Sequence, residues 1–220
     1  MNGTSPMSLF LQMVLGLGLL LLLAAGMWRL SSRRASIPCP SWLAWMVELD
    51  NPFASSHNAA NIIRRLRISP GMKVLDVGCG PGRLAVPLAQ ALLPEGEVLA
   101  LDLQPGMIER ARAKARRAGV TNIRFELRPV EAGGLGEGEY DRALLVTVLG
   151  EIPDREAALR EIARALKPGG ILSITEIVFD PHYQSRASVV RAAAGTALRE
   201  AGFWGNRLAY TLHLIKTGSA

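Results

Sequence analysis

The chain is 220 residues long, 49% hydrophobic and 20% charged, with a formal net charge of +6. That length holds one domain with a substantial core plus an appendage, and the basic balance suits nucleic acid, an anionic membrane surface or a solvated surface without choosing among them. Only Cys39 and Cys79 are present, which argues against a disulfide framework and for a reducing compartment.

Leu9 to Trp28 is twenty residues with no charge and one amide, Gln12. At about 1.5 Å per residue such a helix crosses a hydrocarbon core of about 30 Å, so a transmembrane anchor is expected. A cleavable signal peptide would carry a basic residue ahead of a shorter apolar run. Arg29, Arg33 and Arg34 follow the span and no Lys or Arg precedes it, which by the positive-inside rule leaves the rest of the chain on the cytoplasmic side. Residues 1–34 therefore read as anchor and basic flank. Residues 35–54 hold Trp42, Leu43, Trp45, Met46 and Leu49 at helical spacing between prolines; this short helix either lies in the membrane interface, where indoles prefer to sit, or packs on the domain. Residues 55–220 form the main domain.

That domain opens on a helix over about 55–66, with His57 and Asn58 at its start and Ile62, Ile63 and Leu66 on its apolar face. Next comes Lys73 to Arg83, KVLDVGCGPGR: a buried strand interrupted by Asp76, a turn through Gly78, Cys79, Gly80, Pro81 and Gly82, then a helix. So many glycines let backbone N–H groups approach a ligand, and a following helix N-terminus favours anionic groups. A second strand, Glu97 to Leu103, contains Asp102, where a carboxylate can take both hydroxyls of a ribose. The dinucleotide fingerprint places its third glycine at the position held here by Arg83, which argues against NAD.

The helix of Pro105 to Ala118 carries a strongly basic face, read as solvated. Asn122 to Leu127 is the third strand, and a glycine-rich loop leads to a fourth beginning at Asp141. Its end, TVLGEIPD, faces the crevice outside the carboxyl ends of the strands, which puts Glu151 in reach of an incoming nucleophile. The helix of Arg155 to Leu166 stops at the LKPGG turn. The fifth strand, Ile171 to Val178, leads to a polar and aromatic cluster of Glu176, Phe179, Asp180, Pro181, His182 and Tyr183. A helix over Ser188 to Ala201 and a strand over about 207–216 close the chain, leaving little room for another strand between Phe203 and Arg207.

Asp76 within a strand, the GxGxG turn, Asp102 and LKPGG together resemble the class I S-adenosylmethionine-dependent methyltransferases, over roughly Asn58 to Lys216. The IPDREAALREIARALKPGG block is most similar to the branch acting on quinones, sterols and phospholipids. The resemblance implies an α/β, Rossmann-like, mostly parallel doubly wound sheet, here with abbreviated C-terminal strands, and S-adenosylmethionine as cofactor. It carries over to Asp76, Gly78, Cys79, Gly80, Gly82, Asp102, Leu103, Met107 and Thr147 as cofactor residues, with Leu103 and Met107 beside the adenine. The family often places an acidic residue shortly after the third strand to meet the adenine amino group; this chain reads Leu127, Arg128, Pro129, Val130, Glu131, so Glu131 takes that role from a shifted position. Glu151, His182 and Tyr183 are the catalytic candidates. The anchor favours a lipid-like acceptor, first a phospholipid headgroup amine, then a quinol or a small hydrophobic thiol or amine. A membrane-tethered cofactor-binding module without turnover is the rival from another class. A DNA-amine signature and aromatic stacking residues are missing, so nucleic acid is not an expected partner. The three histidines, His57, His182 and His213, lack ligand spacing, so no metal is expected. Oligomeric state is left open.

Overall fold

The computed structural model describes residues 6–35 and 58–218. Helix α1 is Pro6–Ala35. The domain follows as α2 (Ala59–Leu66), β1 (Lys73–Val77), α3 (Ala85–Ala91), β2 (Glu97–Asp102), α4 (Pro105–Arg117), β3 (Ile123–Leu127), β4 (Tyr140–Val146), α5 (Arg155–Ala165), β5 (Leu166–Ile177), α6 (Arg186–Ala193), β6 (Leu198–Gly205) and β7 (Ala209–Lys216). Short 3-10 turns cover Val130–Ala132 and Leu149–Glu151.

Among the described residues the strands make one seven-stranded sheet in the order β3-β2-β1-β4-β5-β7-β6. β1 pairs in parallel with both β2 and β4, so the chain order reverses at the carboxyl end of β1, where open α/β sheets bind ligands. Burial of Val74, Leu75, Asp76 and Val77 in unbroken succession is what a parallel strand covered on both faces requires. One face packs Leu145, Leu172 and Tyr210 against Leu159 and Ile162 of α5 and Val189 of α6. The other packs Val74, Val98 and Leu144 against Ile62 and Leu66 of α2, Leu88 of α3 and Ile108 of α4.

Two groups of expectations change, one in the C-terminal half of the sheet and one at the N-terminus. The C-terminal edge is not abbreviated: β6 and β7 are full strands of eight residues each and pair antiparallel, and β7 pairs antiparallel with β5. The predicted helix over Ser188 to Ala201 ends at Ala193 because the Thr196 hydroxyl donates to Ala193 O at 2.7 Å and accepts from Leu198 N at 3.1 Å, turning the chain into β6. A bulge between Glu200 and Gly202 keeps β6 in register, and Phe203 stacks on Tyr210 with ring centroids 5.5 Å apart. LKPGG likewise belongs to the long strand β5 rather than preceding it.

The second concerns the anchor. Among the described residues no helix is long and apolar enough to cross a membrane. The side chains of α1 from Leu9 to Leu20 are almost all exposed. A membrane span is therefore not part of the established fold. The tryptophan segment and His57 lie outside the described residues. Asn58 does cap α2, its side chain accepting from Asn61 N at 3.2 Å.

Candidate active site

The turn after β1 is built by glycines that take positive φ, +72° at Gly78, +52° at Gly80 and +82° at Gly82, a region other residues enter at a cost. A Cβ at Gly78 would also overlap the Val148 side chain, so this turn is pressed against the chain leaving β4. Its N–H groups point inward. Those of Gly78 and Cys79 both donate to Leu101 O at 2.8 Å, that of Gly82 to Cys79 O at 3.0 Å, and that of Gly80 to Asp102 Oδ2 at 2.9 Å. The N–H groups of Gly78, Cys79, Gly80 and Gly82 are thus taken up by the protein itself.

What the turn offers instead is negative charge. Asp76 is buried, its Oδ2 has no hydrogen-bond partner, and its carboxyl is pushed up to about 7 by burial and by the neighbouring Asp102, against the pull of Arg83. The Asp102 carboxyl is raised by its own burial, while N–H groups of Gln104, Gly80 and Leu103 oppose the shift; Gln104 N donates to Asp102 Oδ1 at 2.9 Å. Two carboxylates beside internally bonded amides repel a pyrophosphate and suit a cation. A cofactor with a sulfonium, an ammonium and a ribose fits this donor set. Met107, in the first turn of α4, is buried, whereas Leu103 is exposed. Cys79 is buried, which raises its thiol far above the ordinary range and makes it a packing residue.

Glu131 sits half-buried in the turn after β3, on the same end of the sheet as Asp102. Thr147, the first residue past β4, is held at φ +56°, where non-glycine residues are uncommon. Its N–H donates to Thr175 O at 2.8 Å and its hydroxyl to Val146 O at 2.7 Å, which fixes the chain leaving β4 against β5.

At the ends of β4 and β5 the structure brings Glu151 and His182 together. His182 Nδ1 lies 3.8 Å from Glu151 Oε1 and 3.8 Å from Asp180 Oδ1, and its backbone N–H donates to Asp180 Oδ1 at 2.6 Å. His182 is buried. A Cβ at Gly150 would fall onto the His182 carbonyl oxygen, so the two loops are in direct backbone contact. Tyr183 is placed differently: its hydroxyl donates to Arg207 O at 2.7 Å and its ring meets Tyr210 edge-on, which ties the loop to the β6–β7 turn.

Gln184, which sequence reasoning passed over, ties this region together. Its N–H donates to Glu176 Oε2 at 3.0 Å, its side chain donates to His182 O at 2.8 Å and accepts from Ser188 Oγ at 3.0 Å, and its carbonyl accepts from Tyr210 at 2.7 Å. Glu176 beneath it is pushed up to about 8, chiefly by burial. The one available signal was a polar residue directly ahead of the Ser185 helix cap.

A family model described as a methyltransferase domain matches residues 68–213. The chain belongs to that family. The domain is thus an S-adenosylmethionine-dependent methyltransferase domain, with a donor set that suits its cofactor. Methyltransferase GfsG of Streptomyces halstedii is 33% identical over 126 residues, covering 57% of this chain and 45% of that protein. The ubiquinone/menaquinone biosynthesis C-methyltransferase UbiE of Shewanella oneidensis is 34% identical over 114 residues, 51% of this chain and 45% of that one. The chain spans about half the length of the curated relatives it matches. A crystal structure of a SAM dependent methyltransferase from Aquifex aeolicus shares the fold, with a TM-score of 0.72 at 18% identity over 82% of this chain and all of that one.

Proposed function

We propose that the chain is a membrane-anchored methyltransferase that carries a methyl group from S-adenosylmethionine to a lipid-like acceptor, with its catalytic domain on the cytoplasmic side. The observation that carries the acceptor half is His182 Nδ1 at 3.8 Å from both Glu151 Oε1 and Asp180 Oδ1. When bound, the cofactor supplies an activated methyl on a sulfonium. The chain's own residues orient the acceptor and take its proton. Two carboxylates flanking Nδ1 favour the tautomer with hydrogen there, which leaves Nε2 as the proton acceptor. Alignment within a buried crevice supplies much of the remaining acceleration.

A base is needed where the acceptor arrives protonated, and carboxylates around it favour a cation, so a phospholipid headgroup amine of the phosphatidylethanolamine type is the first reading. The similarity to a quinone C-methyltransferase favours a quinol ring as the second. The anchor rests on twenty uncharged residues and the arginines behind them, within a chain that is helical over Pro6–Ala35.

The test is to incubate the full chain and methyl-labelled cofactor with a membrane lipid extract and locate the label by mass spectrometry. Label on a headgroup nitrogen supports the first reading and label on a ring carbon the second. Label confined to water-soluble molecules overturns the lipid-like acceptor. Bound cofactor with no labelled product in any fraction would leave a binding module.

A further inference from the structure

Outside α1, five of the seven large apolar side chains that stay exposed among the described residues gather at one end of the sheet, Leu93 and Val190 being the exceptions. Leu103, Leu127, Phe179, Trp204 and Leu208 all lie at or just beyond the carboxyl ends of β2, β3, β5 and β6 or at the adjoining entry to β7. Leu103 and Leu127 border the cofactor half. Phe179 and Leu208 are different: 81% and 61% exposed, they stand on the loop that carries His182 and on the β6–β7 turn joined to it.

These loops are held, not frayed. Val178 N donates to Leu208 O at 2.7 Å and the Tyr183 hydroxyl to Arg207 O at 2.7 Å, so the β5 loop and the β6–β7 turn are joined at two points. Within the turn, Asn206 Oδ1 accepts from Leu208 N at 2.8 Å and from Ala209 N at 3.3 Å. A phenylalanine and a leucine on loops tied by these four hydrogen bonds forgo burial at the same end of the sheet, and exposed apolar residues grouped in this way mark contact with an apolar partner. The exposed Arg207 stands between them in the chain and complements negative charge.

We propose that the Phe179 and Leu208 loops form a docking edge for a bilayer surface containing anionic lipid, which turns the end of the sheet that carries Glu151 and His182 toward the headgroups. This deepens the reading of a lipid-like acceptor and rests on it. Two protruding tips do not enclose a small molecule, and they fall far short of the roughly 800 Å² per partner of a stable protein interface. Shallow insertion of single apolar side chains beside a cation is instead how a peripheral surface grips the boundary between headgroups and acyl chains.

The experiment uses full-length Cys39→Ser protein, whose remaining Cys79 is buried. Nitroxide labels are placed singly by Phe179→Cys, Leu208→Cys and, at the opposite end of the sheet, Leu93→Cys, and the protein is floated with 3:1 phosphatidylcholine:phosphatidylglycerol vesicles. Collision rates with dissolved oxygen and with a water-soluble nickel chelate are then read by spin resonance. Labels at 179 and 208 should favour oxygen over nickel, and the label at 93 should show the reverse. Equal, water-like accessibility at all three positions overturns the proposal. So does shielding of 179 and 208 from both reagents, which would mean protein covers them, and so does failure to float. None of these readings depends on turnover, so they fail or succeed separately from the methyl-transfer assignment.

Discussion

The backbone N–H of Gly80 donates to Oδ2 of Asp102 at 2.9 Å. That bond ties the turn after β1 to the end of β2 and brings Asp102 close enough to Asp76 for their charges to interact. Asp102 accepts backbone N–H groups from Gly80 at Oδ2 and from Gln104 at Oδ1, with the Leu103 N–H also turned toward it, and the two oxygens of a carboxylate offer about four acceptor sites. The ribose hydroxyls can therefore be met without dismantling the turn.

Asp102→Ala should weaken S-adenosylmethionine binding tenfold to a hundredfold, since a hydrogen bond to a charged group contributes about 1.5 to 3 kcal/mol. Asp102→Asn should lose less, because an amide oxygen still accepts. Titration calorimetry on variants whose melting remains cooperative checks the ranking. Equal affinity in all three proteins would remove Asp102 from the cofactor site.

The raised carboxyls make a pH signature. For Asp76 the folded value is about 7 against an ordinary 3.8, and for Glu176 about 8 against 4.5. In each case the folded state holds its proton more tightly, so the associated stability is fully present below the ordinary value and is lost as pH rises through the folded one. Thermal stability of the cofactor-free protein should thus fall between about pH 4 and pH 8. Affinity for the cationic cofactor should move the other way, rising as Asp76 ionises through about pH 7. Asp76→Asn should flatten the affinity profile, which calorimetry at several pH values would show.

Gly150 and His182 are coupled through backbone. Because a Cβ at Gly150 would fall on the His182 carbonyl oxygen, Gly150→Ala has to push the loop that carries His182. We expect turnover to drop at least tenfold with cofactor affinity near wild type, matching His182→Gln and Glu151→Gln, since a proton acceptor contributes about a hundredfold or more to rate. Tyr183→Phe should behave otherwise. It removes the bond to Arg207 O and should lower the melting temperature more than the chemical step. Steady-state kinetics set beside thermal melts separates the two patterns.

How far the sequence spoke for itself follows from range. KVLDVGCGPGR and Asp102 were legible because a buried strand, a glycine turn and a carboxylate at the next strand end are local patterns, and the structure places them together. The direction of the turn's N–H groups was not, since it depends on Leu101 O from the neighbouring strand. β6 was hidden by the alanine, leucine, arginine and glutamate of 197–201, which read as helix until the Thr196 hydroxyl stops it. Gln184 was invisible for a similar reason: its partners Glu176 and Tyr210 come from β5 and β7. Glu151 and His182 were each placed at a strand end by the fold, but that they meet is a tertiary fact.

The N-terminal segment can be separated from the rest. Every described residue of both core clusters lies between Ile62 and Leu214, so removing Met1 to Arg34 should leave a cooperative fold that binds cofactor as the full chain does. What should change is access to the acceptor. A tether raises the local concentration of enzyme at the bilayer without altering the chemical step, and basic side chains near an anionic surface add about 1 kcal/mol each. Turnover of an acceptor held in vesicles should therefore fall many-fold in the truncated protein. Turnover of the same acceptor dispersed in detergent should change little, because there a tether would concentrate nothing. Assaying both proteins in both settings gives four rates. Similar losses in vesicles and detergent, or none in either, would count against a membrane-resident acceptor and leave the apolar helix as an address rather than part of the catalytic arrangement.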